Sequence, residues 1–135
     1  MQNSDNSVDT HFLTIHETKT IPELQKEFNL HFPFLKIEFY RESQMITTNE
    51  RISHLQSSTH SGKIPFTKRT TVRELERVFS DDFGLQVQVL RKSGRIWLVT
   101  TSTDDWTLEE QNEEGKNLSH HVQMEKENPE DLDIY

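Results

Sequence analysis

The chain predicts an α+β fold, a two-layer sandwich made from a duplicated strand–helix–strand unit. Three observations predict it. Thr20-Ile21-Pro22-Glu23-Leu24 is matched 51 positions later by Thr71-Val72-Arg73-Glu74-Leu75, and Phe28 and Phe32 are matched by Phe79 and Phe83; repeats of this kind are sought before single motifs. Within each unit the spacing of apolar residues changes from helical to alternating. Of the 42 hydrophobic residues, thirteen lie in 11–41 and seventeen in 63–108, so the core belongs to those two segments.

Each element has a local reason. Leu13-Thr14-Ile15 alternates as a half-buried strand does. Thr20 with Glu23 forms an S/T-x-x-E capping box, and Pro22 falls in the first turn, where a missing N–H costs nothing. Ile21, Leu24 and Phe28 then give one apolar helical stripe, ended near Pro33. Leu35, Ile37 and Phe39 alternate with Lys36, Glu38 and Tyr40 in a second strand. The second unit repeats the plan. Ile64-Pro65-Phe66 is a short strand whose proline restricts it to an edge, a bulge or a strand start. Thr71 and Glu74 form the second capping box, Val72, Leu75, Val78 and Phe79 the stripe, and Gly84 the stop. Leu85, Val87 and Val89 alternate with Gln86 and Gln88. A turn at Lys92-Ser93-Gly94 leads into Ile96-Trp97-Leu98-Val99 as a hairpin strand, whose unbroken apolar run predicts burial on both faces or packing by the segment after it. Asp104 or Asp105 caps a short helix that Gly115 ends.

The predicted organisation is a loose arm at 1–10, one α+β domain at 11–114 with repeat units 13–43 and 64–93, a long polar loop at 44–62, and an acidic, largely disordered tail at 115–135. Duplicated βαβ units with an added hairpin strand are similar to a ferredoxin-like arrangement, which speaks to fold and not to function.

Composition excludes several chemistries. Without cysteine there are no disulfides, zinc–thiolate sites or cysteine nucleophiles. Phosphate-loop, dinucleotide-binding, zincin and nucleophile-elbow motifs are absent. The carboxylate pairs at Asp104/Asp105, Glu109/Glu110 and Glu113/Glu114 read as solvated helix-start residues, and His120/His121 as solvated side chains. No catalytic residue, metal ligand or cofactor is expected. No apolar run reaches the roughly 20 residues a membrane helix needs, and the N-terminus lacks the features of a signal peptide, so a cytoplasmic location and no membrane partner are expected.

Charge is uneven. Residues 1–40 carry net −3, residues 41–95 net +4 and residues 96–135 net −9. The basic block contains Lys63, Lys68, Arg69, Arg73, Arg77, Arg91, Lys92 and Arg95. A sheet face left outward by the alternation carries Phe12, His16, Tyr40, Gln86, Gln88, Leu90 and Trp97. An open face with a few large apolar members is a partner surface. The expected function is therefore a non-catalytic interaction or regulatory module that binds a protein or itself. The alternative is a nucleic-acid-associated protein using the basic block, with the acidic tail as modulator, although an overall charge of −8 opposes it.

Overall fold

The computed structural model describes residues 9–127. The element order is β1 (His11–Ile15), α1 (Ile21–His31), β2 (Leu35–Arg41), β3 (Gln44–Ile46), a 3-10 turn (Ile52–Leu55), β4 (Gly62–Phe66), α2 (Val72–Phe83), β5 (Gln86–Ser93), β6 (Ile96–Val99), a 3-10 turn (Thr101–Thr103) and α3 (Leu108–Glu127). Both capping boxes form: Thr20 Oγ1 accepts from the Glu23 N–H and Thr71 Oγ1 from that of Glu74, while each glutamate accepts from the N–H of its threonine. Gly84 ends α2 in the left-handed region at φ 63°, a conformation that costs glycine little.

The fold is α+β, but the ferredoxin-like order is not what forms. β1 and β4 pair with each other in a two-stranded antiparallel sheet, and a separate four-stranded antiparallel sheet runs β3-β2-β5-β6. Apolar residues from both sheets, Leu13, Ile15, Ile64 and Phe66 from one and Leu35, Ile37, Phe39, Val87 and Val89 from the other, join the helical stripes in one core. The short β4 lies beside β1 alone, so Pro65 falls on an edge strand, as its missing N–H requires.

Four other local expectations change. The segment 44–62, expected as a loop, supplies β3 and a 3-10 turn, and its Ile52 is fully buried. Ile52 N–H donates to Lys19 O at 2.7 Å and Ile21 N–H to Glu50 O at 2.9 Å, which ties this segment to the start of α1. β6 is an exposed edge strand and is not buried on both faces. The cap of α3 is Thr107, in a third capping box with Glu110, and neither Asp104 nor Asp105. Gly115 does not end that helix, which continues to Glu127. A Cβ at Gly115 would lie 2.9 Å from Phe34 Cβ and 3.1 Å from Phe34 O, so the glycine is there to let α3 approach the start of β2.

Candidate functional site

The face of the four-stranded sheet turned away from Leu35, Ile37, Phe39, Val87 and Val89 carries one buried apolar residue, Leu90, and register fixes who stands on it. Tyr40 pairs with Gln86, Glu38 with Gln88, and Lys36 with Leu90. Leu90 pairs with Val99, and Lys92 with Trp97. Side chains of paired residues lie on the same side of a sheet. Five of the seven expected partner-surface residues, Tyr40, Gln86, Gln88, Leu90 and Trp97, therefore share one face. Phe12 lies on the other sheet, with Lys63 Nζ 5.5 Å from its ring centre, and His16 is just past the end of β1, bonded to Thr18. Those two do not join the site.

Trp97 stands on this face at the edge strand β6. Lys36 Nζ lies 4.9 Å and Lys92 Nζ 5.8 Å from its ring, close enough for cation–π attraction. Lys36 reaches Glu38 at 3.5 Å, and Glu38 also accepts from Gln25 Nε2 at 2.7 Å. Burial, and after it the carboxylates of Glu38 and Glu76, push the Tyr40 phenol above its usual value. Between α1, the strand β2, residues 46–49 and Trp97 lies a cleft of about 600 Å³.

The hairpin carries the more unusual feature. Its two-residue turn, Gly94-Arg95, has Gly94 at φ 64°. Such a turn closes on a hydrogen-bonded pair, Ser93–Ile96, so Arg91–Leu98 is the next bonded pair. The Lys92 N–H accordingly points the other way, to Phe34 O at 2.9 Å. On β6 it follows that the N–H and C=O groups of Trp97 and Val99 face away from β5, along the open edge of the sheet. Around them Ile96 is 58%, Val99 55% and Leu98 37% exposed. An apolar edge with free donors and acceptors is a template for another strand. Sequence reasoning missed this because four apolar residues in a row read as buried. The available signal was topological: among the described residues β6 is the last strand, so none of them follows to pair with its outer edge.

The other inner edges of the sheet are closed by side chains. Where β3 ends, Gln25 Nε2 donates to Ile37 O at 2.8 Å and Asn29 Nδ2 to Leu35 O at 2.9 Å. Where β6 ends, the Val89 N–H donates to Glu76 at 2.9 Å and Thr100 Oγ1 donates to Val89 O at 2.8 Å. Burial pushes the Glu76 carboxyl above the usual carboxylate range, against the pull of the Val89 N–H, and Asp104 adds to the rise.

The basic block is divided. Lys68 meets Glu109 at 3.6 Å and Arg73 meets Asp104 at 2.6 Å. Arg91 is held by Gln111 at 2.9 Å and lies 5.7 Å from the Trp106 ring centre. Arg69 and Arg77 are exposed beside and on α2, while Lys92 and Arg95 stand at the hairpin. His11 and His31 stack with ring centres 4.4 Å apart against Phe66, and burial, then the His11 ring, hold His31 below its usual value. Among the described residues no three His, Asp or Glu side chains are grouped to hold a metal ion, and no helix is long and apolar enough to cross a membrane. Comparison with protein-family models, with curated proteins and with solved structures gave no match to this chain.

Proposed function

We propose that the chain is a non-catalytic protein-interaction module that binds its partner along β6 and the adjoining face of Trp97, Gln88, Gln86 and Tyr40, beneath which Leu90 is buried. The observation that carries this reading is the open β6 edge, with backbone groups at Trp97 and Val99 that no strand of the described residues pairs and exposed apolar side chains at Ile96, Leu98 and Val99. Natural proteins block such edges unless they are used, and strand addition is a common mode of peptide recognition. We read the two halves as copies of one unit, of which the second presents the longer and more apolar edge.

Val99→Pro tests this. It removes an N–H from the open edge and none from the β5–β6 ladder. A photo-crosslinker at Ile96 is expected to capture a defined protein or a second copy. The Val99→Pro chain should lose that product at unchanged thermal stability. An unchanged crosslinking pattern would refute the reading. The second reading, nucleic-acid association, draws on Lys36 and Lys92 flanking Trp97, since single strands use aromatic and basic groups together. A salt-sensitive affinity for labelled RNA that falls in Lys92→Glu/Arg95→Glu would favour it.

A further inference from the structure

We infer that the β6 edge takes up the chain's own segment Glu130-Asp131-Leu132-Asp133-Ile134-Tyr135, which lies outside the described residues, and that the interaction surface is thereby self-occupied. The argument begins with the two sides of the edge. On one side stand Trp97 and Val99, beside Lys92 and Lys36, with Arg95 at the turn. On the other stand Ile96 and Leu98. An added strand therefore needs acidic residues at one set of alternate positions and apolar residues at the other. Residues 131–135 have that pattern: Asp131, Asp133 and Tyr135 alternate with Leu132 and Ile134. The charges are complementary. Glu38, a carboxylate on the same face, is already held by Lys36 and Gln25.

The chain is also long enough. Gly115 packs against Phe34 and Arg91, and Arg91 is the cross-strand neighbour of Leu98. From Gly115 the helix extends twelve residues to Glu127, or about 18 Å at 1.5 Å per residue. The eight residues 128–135 span about 27 Å when extended, which exceeds that overhang. Asn128-Pro129 stands at its start, a pair that favours a turn.

This inference rests on the reading of β6 as a binding edge and names what fills it when no outside partner does. The experiment is residue-resolved amide exchange on the full chain and on its Leu132→Asp/Ile134→Asp variant, with the Leu24 amide as internal control. Trp97 and Val99 amides are expected to exchange roughly tenfold faster in the variant, because only the added strand protects them. Asp131→Lys/Asp133→Lys should act in the same direction, and dilution should leave the native protection unchanged. Equal exchange in native chain and variants would overturn the inference while leaving the crosslinking test of an outside partner untouched. Protection that disappears on dilution would overturn it as well, by assigning the edge to a second copy.

Discussion

The first half of the molecule and the second solve the same construction problem with different parts. In each, a strand leads through a tight turn to a threonine cap, a helix and a hairpin, and the chain then returns to the helix start. Lys19 N–H bonds to His16 O at 3.0 Å, and Thr70 N–H to Thr67 O at 3.1 Å. Ile21 N–H finds Glu50 O, and Val72 N–H finds Trp106 O. Ile52 N–H bonds to Lys19 O, and Leu108 N–H to Thr70 O, so the two returning segments each place one fully buried apolar residue at the same relative place. Each half thus finds its own partners for the helix-start N–H groups that an isolated helix leaves free.

The differences lie at the ends. The first hairpin turns through Glu42 and Ser43, both at positive φ, into the three residues of β3, a short edge on which Ile46 packs against the core and Met45 is exposed. The second turns through Gly94 into four apolar residues. A very short edge resists adding a strand and a longer apolar one invites it. Both β3 and β6 are edges of the sheet, but β3 is the shorter and β6 is an unbroken apolar run, which is why the site is sought on β6. The returning segments differ too. After β3 the chain makes a single 3-10 turn, whereas after β6 it becomes α3, which crosses back at Gly115 to brace β2 against β5.

The comparison can be broken most severely in the core. Leu24 and Leu75 occupy matching places on α1 and α2, and both are buried. Leu24→Ala and Leu75→Ala should each cost about 2–5 kcal/mol. Because both helices feed one core, each variant should shift a single urea transition. Two separate transitions, each sensitive to one variant, would make the halves independent. Gly115→Ala probes what the second half has and the first lacks. Its methyl meets Phe34 backbone as well as side chain, so a loss of about 1–3 kcal/mol is expected in spite of alanine's better helix propensity. A gain in melting temperature would mean that α3 is not pressed against β2.

The smallest effect separates Gln25 from Glu76, which stand 51 positions apart on α1 and α2 and both hydrogen-bond the open part of a neighbouring strand. The folded Glu76 carboxyl keeps its proton to a higher pH than the ordinary value of 4.5. Between those two values the folded state binds more protons than the unfolded one, so stability falls as pH rises through the window. Glu76→Gln imports the first half's solution and keeps an oxygen for the Val89 N–H. Its stability should be flatter from pH 4.5 upward and higher than that of the native chain at neutral pH. Identical pH profiles would show that the carboxyl is not perturbed.

The candidate site was legible in part. Period two along 35–40 and 85–90 placed Tyr40, Gln86, Gln88 and Leu90 on the side opposite the core residues, because side chains alternate in any strand whatever its neighbours. The same rule put Phe12 on an outward face and had no means to say that its face belongs to another sheet. The basic block looked continuous in sequence, yet Lys68, Arg73 and Arg91 are taken by Glu109, Asp104 and Gln111, all supplied from near or within α3.

Interactions within a few residues and one-dimensional periodicity set α1 and α2, their caps and the inward faces of β1, β2, β4 and β5, all of which can be read from the sequence. Tertiary structure alone decided which strands pair, that Ile52 is drawn into the core, that α3 continues past Gly115 and that β6 stands at an edge. Those outcomes depend on contacts between residues far apart in the chain. A run such as Ile96–Val99 has the same local signal whether a neighbour covers it or not.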